Sequence, residues 1–312
     1  MTLTQMEYLI AVDNHRNFAE AAKACFVTQP TLSMQIKKVE EELNILIFDR
    51  GKKPVLTTDI GRQIIQQARV TVQESYRIVE IIESQHGEIK GELKIGIIPT
   101  ICSYLLPLFV PKFMQRYPNV NIIVEELFSD QIIAKLNNDL LDLAILATPL
   151  EEASILEVPL YYEKFVLYVS DKHPLFKMDC IDINDIDLSD VWLLKEGNCF
   201  RTQVINICSE RNNHKRHQLR FESGNLETIK KIVDRHFGIT ILPELAILDF
   251  NENEKKHIRR FADPEPVREV SLVMRRNFMK KGLIDLLHKS ILEDVPKEIA
   301  VNANKNIISW KS

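Results

Sequence analysis

Cysteine is scarce in this sequence and unpatterned. Five residues (Cys25, Cys102, Cys180, Cys199 and Cys208) are scattered through 312, an odd set without a C-x-x-C pair. That excludes a disulfide framework and a zinc motif, and no metal or cofactor is expected. Long apolar runs are also missing, so no segment is expected to span a bilayer. Met1-Thr2-Leu3-Thr4-Gln5-Met6-Glu7 lacks the basic stretch and apolar core of a secretory signal. The expected compartment is the cytoplasm, where a disulfide is transient and regulatory rather than structural. Nor is there an excess of positive charge. A net charge of −4 argues against a generally basic binder of nucleic acid and leaves any DNA contact to a local patch. What remains is an ordinary globular composition, 45% apolar and 27% charged, with room for two or three domains.

The N-terminal stretch reads as helices. Met6, Leu9, Ile10 and Val12 recur at helical spacing, and Asn17-Phe18-Ala19-Glu20-Ala21-Ala22-Lys23-Ala24 is a short alanine-rich helix. After a break at Val27-Thr28-Gln29, Pro30 suits the first turn of a third helix, with Thr28 or Gln29 as its cap. Leu32, Ile36, Val39 and Leu43 form its apolar stripe; Pro30, Met34, Lys37 and Lys38 lie opposite, flanked by Thr31 and Ser33. This is the pattern of a helix-turn-helix, although a three-helix interaction module would share it. Arg50-Gly51-Lys52-Lys53-Pro54-Val55-Leu56-Thr57 follows as a basic wing. Basic and acidic residues balance through residue 66, so the DNA reading rests on the clustering of Lys37, Lys38, Arg50, Lys52 and Lys53.

From Thr58 to about Glu83 the only helix-breaking residue is Gly61, and Ile60, Ile64, Ala68, Val72, Val79 and Ile82 recur three, four or seven apart. A helix this long would expose its seam in a monomer, and pairing with a second copy covers it. Gln85-His86-Gly87-Glu88 reads as a hinge. Beyond it, strands at Leu93–Ile98, Asn121–Glu126 and Leu143–Leu146 alternate with helices around Leu105–Met114 and Gln131–Asn137, predicting a parallel sheet with right-handed crossovers. The pattern restarts with strands at Phe165–Val169 and Val191–Lys195, a helix from Asn225 to His236 and a strand at Ile239–Pro243. Val270–Met274 and a helix near Lys281–Leu292 return the chain to the first lobe. Sites in such folds sit at strand C-terminal ends, where Thr100, Ser129 and the Cys199 loop fall.

Glu196-Gly197-Asn198-Cys199-Phe200-Arg201 leads into Thr202-Gln203-Val204-Ile205-Asn206-Ile207-Cys208. Gly197 is a loop residue and Asn198 a good N-cap, so Cys199 falls in the first turn of a short helix, with Arg201 two residues on. The unpaired N–H groups and the positive helix end favour a thiolate. A free thiol of pKa ~8.5 is a few per cent ionised at neutral pH; lowering the pKa to ~6.5 ionises roughly three-quarters of it. If the segment stays helical, the two Cα atoms are about 13 Å apart at ~1.5 Å per residue, against the ~7 Å a disulfide tolerates. Oxidation would therefore have to change the fold locally. The spacing alone favours two ordinary half-buried cysteines, and context has to decide.

Phe18-Ala19-Glu20-Ala21-Ala22, Gln29-Pro30-Thr31-Leu32-Ser33, Gln35-Ile36-Lys37-Lys38-Val39-Glu40 and Thr57-Thr58-Asp59-Ile60-Gly61 resemble the DNA-binding domain of the LysR-type transcriptional regulators. The resemblance implies that Gln29, Pro30, Thr31, Ser33 and Lys37 face double-stranded DNA while the wing grips its backbone. Met34, Lys38, Arg50, Lys52 and Lys53 belong to the same expected face. Asn44 stands where the family usually has glycine, and asparagine also accepts the left-handed conformation. Met34 replaces a position that is often polar and could touch a thymine methyl. The expected fold is mixed: a mainly α winged helix-turn-helix (1–58), a linker helix and hinge (59–87), then an α/β two-lobed periplasmic-binding-protein-like effector domain (88–300). Lobe I takes about 88–161 and 267–300, lobe II about 162–266, and 301–312 forms a tail. The linker helix would dimerise two copies on a two-fold-related site, with a homotetramer and RNA polymerase as further partners.

Within the family, Ile98-Pro99-Thr100, Tyr104-Leu105-Leu106-Pro107, Ala144-Ile145-Leu146-Ala147, Glu157-Val158-Pro159-Leu160, Gly197-Asn198-Cys199, Arg201, Cys208 and Gly238-Ile239-Thr240-Ile241-Leu242-Pro243 are similar to its peroxide-sensing members. That likeness implies that Cys199 attacks hydrogen peroxide and that Cys208 resolves the sulfenic acid as a disulfide. Thr100 would hydrogen-bond the peroxide, Ser129 would keep a hydroxyl where threonine is common, Arg201 would favour the thiolate, and an arginine near Arg268 would reach the pocket. Asn198 stands where histidine is frequent and Thr202 where an acid is. Cys25, Cys102 and Cys180 read as packing residues. A regulator that senses a metabolite between its lobes, with incidental cysteines, remains the first alternative. A thiol-dependent enzyme would have no use for Met1–Glu83, and a solute-binding protein would need export.

Overall fold

Thr2 opens the first helix with a capping box, accepting from the Gln5 N–H while the Gln5 side chain accepts from its own. Asn17 caps the second helix and Thr28 the third. These caps delimit α1 (Leu3–His15), α2 (Phe18–Ala24) and α3 (Gln29–Leu43). Asn44 ends α3 in the left-handed conformation at φ 53°, as expected for the glycine-like position. Two short strands, β1 (Phe48–Asp49) and β2 (Leu56–Thr57), pair antiparallel around the wing. The long helix α4 (Asp59–Gln85) follows. Leu9, Leu32, Ile36, Val39, Ile47 and Phe48 form the core of this part, each at most 1% exposed; each such side chain contributes ~1.5–3 kcal/mol.

The computed structural model describes residues 1–85, 89–208, 225–276, 281–299 and 306–309. The expected hinge at His86-Gly87-Glu88 lies outside the described residues, as does most of the expected tail. The chain divides into two compact units, one centred on Met1–Ile89 and the other on Lys90–Arg276 and Gly282–Ser312. No helix among the described residues is long and apolar enough to cross a membrane.

In the second unit, β3 (Gly91–Ile97), α5 (Pro99–Arg116), β4 (Val120–Glu126), α6 (Ser129–Asn137) and β5 (Leu143–Thr148) alternate. β3 pairs in parallel with both β4 and β5, as the βαβ order predicts. Next comes β6 (Ile155–Val169), followed by β7 (Cys180–Ile181), α7 (Cys199–Ile207), α8 (Leu226–Val233), β8 (Ile239–Pro243), α9 (Glu252–Lys255), β9 (Ile258–Phe261), β10 (Val267–Arg275) and α10 (Lys281–Asp294). The sheet runs β4-β3-β5-β10-β6-β9-β7, with β8 also on β6. β6 joins the lobes: its first part pairs with β10, which also pairs with β5, and its last residues pair with β8 and β9. Pro159, which cannot donate to a ladder, sits where the β6–β10 register shifts, a position that tolerates it. The expected strand at Val191–Lys195 is not one. Val191 makes an isolated bridge to Ile239, Leu194 is a second single-residue bridge, and the chain then turns at Gly197 at φ 85°.

Candidate functional site

Asn198 sets the site. Its side-chain oxygen accepts from the Phe200 N–H at 3.0 Å, starting α7 at Cys199; Cys208 is the C-cap, its N–H on the Val204 carbonyl at 3.1 Å. The two cysteines thus stand at opposite ends of a nine-residue helix, about 13 Å apart by helical rise. All five cysteines are free thiols. Cys208 is 5% exposed and packs in the apolar core of its lobe with Phe200, Val204, Ile207 and Leu226. Burial pushes its thiol up to about 12.

Around Cys199, itself 7% exposed, three elements converge. Thr100 comes from the first turn of α5 and Ser129 from that of α6, and both are buried. Arg268 comes from β10 and is 1% exposed. Its Nη1 donates to Thr100 Oγ1 at 3.2 Å and its Nη2 to the Thr100 carbonyl at 3.1 Å, while its Cζ lies 5.2 Å from the Phe200 ring centroid. Nε donates at 2.7 Å to Glu163, which is fully buried. Burial drives the Cys199 thiol above its ordinary value. The Ser129 hydroxyl, the Arg268 charge and the backbone N–H groups of Phe200 and Cys199 pull the other way. Ser129 Oγ stands beside the sulfur without a partner at bonding geometry, and Asn198 Nδ2 and the Tyr161 hydroxyl are also buried and unpaired. No cluster among the described residues could hold a metal ion.

Two expectations change. Arg201 does not serve the sulfur: its Nη1 donates to the Leu194 carbonyl at 2.8 Å, and the arginine acting on Cys199 is Arg268. The resting thiol is not acidified either, because desolvation outweighs the helix end and the cation. Glu163 went unread, although Tyr161, Glu163 and Phe165 alternate inward along β6, a period-two signal that marks 163 as an inward carboxylate. A cavity of about 230 Å³ opens beside Thr100, lined by Ser103, Tyr104, Glu126, Phe128 and Lys195 among others.

In the first unit, Gln29, Pro30 and Thr31 stand exposed at the start of α3, and Lys37 and Lys38 further along it. Met34 is 61% exposed and Ser33 half-buried. Lys52 and Lys53 are exposed on the wing. Arg50 is more tied down than expected. It donates to Glu40 at 2.8 Å and to Ser33 at 3.3 Å and lies over the Phe18 ring. Glu40 in turn accepts from the Ile47 and Phe48 N–H groups, so Arg50 also braces the wing. Phe26, at the turn before α3, escaped the sequence reading; it is 97% exposed at φ 55°.

A winged helix-turn-helix with an exposed polar and basic helix face, joined to a two-lobed α/β unit with a buried pocket, defines a DNA-binding regulator with a sensing half. The chain belongs to the LysR family: residues 3–62 match its bacterial regulatory helix-turn-helix and residues 86–294 the LysR substrate binding domain. It is therefore a transcription regulator and not an enzyme. It is 36% identical over 301 residues to the hydrogen peroxide-inducible genes activator of Haemophilus influenzae, covering 95% of this chain and 97% of that one. To the DNA-binding transcriptional dual regulator OxyR of Escherichia coli it is 35% identical over 276 residues, covering 88% and 90%. A full-length OxyR variant from Pseudomonas aeruginosa superposes with a TM-score of 0.78 at 33% identity, over 96% of this chain and 100% of that one.

Proposed function

We propose that this protein is a cytoplasmic, peroxide-responsive regulator in which Cys199 is the sensing thiol and Cys208 the resolving one. The observation that carries the reading is the placement of Cys199: a buried thiol at a helix start, beside Ser129 and an Arg268 that is itself bonded to Thr100, with a second thiol at the far end of the same helix. Unpaired hydroxyl and amide groups around the sulfur suit a small polar oxidant. The Cys199 sulfur attacks one peroxide oxygen; the S–O bond forms, the O–O bond breaks, and the second oxygen leaves as water with the thiol proton. Sulfur is oxidised by two electrons and peroxide reduced. The Cys208 thiol then gives up its proton and attacks the Cys199 sulfur; the S–S bond forms, the S–O bond breaks, and the hydroxide leaves as water with that proton. A helix that holds the Cα atoms about 13 Å apart must unwind first. Unwinding also lifts Cys208 out of the apolar core that holds its thiol near 12, so approach and activation of the second thiol come together.

The reading divides the chain at about residues 58 and 87, with the lobes exchanging near 161 and 267. Gln29, Pro30, Thr31, Ser33, Met34, Lys37, Lys38, Lys52 and Lys53 contact DNA, with Arg50 serving both DNA and wing. Copies pair along α4, where Ile60, Ile64 and Ala68 line an apolar groove with Met1, Met6 and Leu43. A tetramer on a two-fold-related site, in contact with RNA polymerase, completes the assembly. Footprinting on the operator tests this: peroxide alters the wild-type pattern and leaves that of Cys199→Ser unchanged. The cavity beside Thr100 favours a second reading, a metabolite effector, under which Cys199→Ser keeps its full response.

A further inference from the structure

The ion pair beside the thiol has no role in the steps above. Glu163 on β6 and Arg268 on β10 face each other in register, 0% and 1% exposed. Both Nε and Nη2 of Arg268 reach Glu163 Oε2 at 2.7 Å. Glu163 Oε1 accepts from the Leu245 N–H at 2.9 Å, so both ends of the carboxylate are fixed. The rest of the guanidinium is on Thr100, and its cation lies over Phe200, the residue after Cys199. A buried pair of this kind is weak evidence for stability, since well-packed apolar residues often replace one at no loss. Its position suggests another use.

We propose that Glu163 is a positioning residue for the sensing thiol: it fixes Arg268 against Thr100 and, by sharing the guanidinium charge, restrains ionisation of Cys199. The proposal rests on reading Cys199 as the sensor. With Glu163 charged, the sulfur faces a pair of zero net charge whose nearer pole is positive. A thiolate then makes a buried minus–plus–minus row with one uncompensated charge. Without the carboxylate charge, the thiolate becomes the sole counter-ion of a buried arginine, and low dielectric makes that exchange large. Burial drives the Glu163 carboxyl above its ordinary value, opposed by the Arg268 charge and the Leu245 N–H, which hold the anion, and Glu244 just after β8 adds to the rise. The other titratable groups bearing on the pair are Tyr161 on β6 and Tyr104 on α5. None of them supplies a second cation. The restraint keeps the resting thiol protonated, consistent with the direction found for Cys199.

The test is the pH profile of Cys199 alkylation by iodoacetamide in the reduced full-length protein, read by mass on the Cys199 peptide. Glu163→Gln moves the midpoint down by about one pH unit or more, raising the rate at pH 7 about tenfold. Glu163→Asp, a milder change that draws the carboxylate back by one methylene, moves it the same way by a smaller step and serves if the glutamine variant does not fold. An unmoved or raised midpoint in the variants that fold overturns the proposal. So does a rate increase that is uniform with pH, which signals only a loosened pocket. Alkylation needs no peroxide, so this result stands apart from whether peroxide links Cys199 to Cys208.

Discussion

At Cys199, burial and charge oppose each other, and burial prevails in the thiol form. A thiol whose pKa lies above the ordinary value is mostly protonated at neutral pH, and its attack rate climbs about tenfold per pH unit below that pKa. The alkylation rate of Cys199 is therefore expected to rise steadily past pH 8; a plateau below pH 7 would contradict this. Replacing Arg268 by Met removes a charge that favours the anion and should slow Cys199 alkylation at neutral pH by about tenfold or more. Cys208, its thiol near 12, should remain unlabelled in the reduced protein under the same conditions. In the DNA-binding unit, Glu40→Ala would orphan the Ile47 and Phe48 N–H groups and release Arg50. A cost of ~2–4 kcal/mol, read from urea denaturation, is expected. The positions of Thr100 and Ser129 at helix starts, and of the two cysteines about one short helix, were legible in the sequence because they follow from local strand, turn and cap signals. An arginine near Arg268 is expected at the pocket from the family resemblance, but its pairing with Glu163, about a hundred residues away along the chain, is not revealed by local spacing.

Among the elements, α7 is the one that the proposed Cys199–Cys208 disulfide would unwind. Asn198 fixes its start, and the Gln203 and Asn206 side chains donate to the carbonyls of Ile308 and Ser309 at 3.0 and 2.9 Å. The segment 306–309 is held on its other side by hydrogen bonds between Val267 and residues Asn306 and Ile308, beside Arg268. Unwinding α7 removes two of these ties. Amide exchange in α7 and in residues 306–309 should rise together on peroxide treatment, with that of α5 unchanged; protection of α7 unaltered by oxidation would count against helix unwinding. The caps and periodicities that mark α1, α2, α3 and α7 are local, so these elements were readable in advance. Val191–Lys195 was misread because a short apolar run reports burial rather than pairing. Burial is what it has: Val191 and Leu194 are core residues without a ladder.

For the whole molecule, the expected seam on α4 is only partly free. Ile65, Ala68 and Val72 are buried, and Arg69 pairs with Asp13 of α1 at 2.9 Å. Ile60 and Ile78, about five helical turns apart and so on one side of α4, remain exposed, which is the face we propose for a second copy; Tyr76 lies on the other side, its hydroxyl donating to Glu7 of α1. Ile60→Glu should weaken self-association in sedimentation and lower operator affinity with it, since two half-sites need two heads. An unchanged oligomer would place the contact elsewhere. Low contrast in charge hid the DNA face from composition, as the basic side chains are interleaved with acids along α3, where Lys37 pairs with Glu41.

The central claim is that one oxidant equivalent joins two thiols that the resting helix holds apart. Peptide mass mapping of the full-length protein after stoichiometric hydrogen peroxide tests it most directly. The expected product is a Cys199–Cys208 cross-linked peptide in wild type, a single added oxygen on Cys199 in Cys208→Ser, and no change in Cys199→Ser. Wild-type protein that responds to peroxide on its operator while both thiols remain free would contradict it.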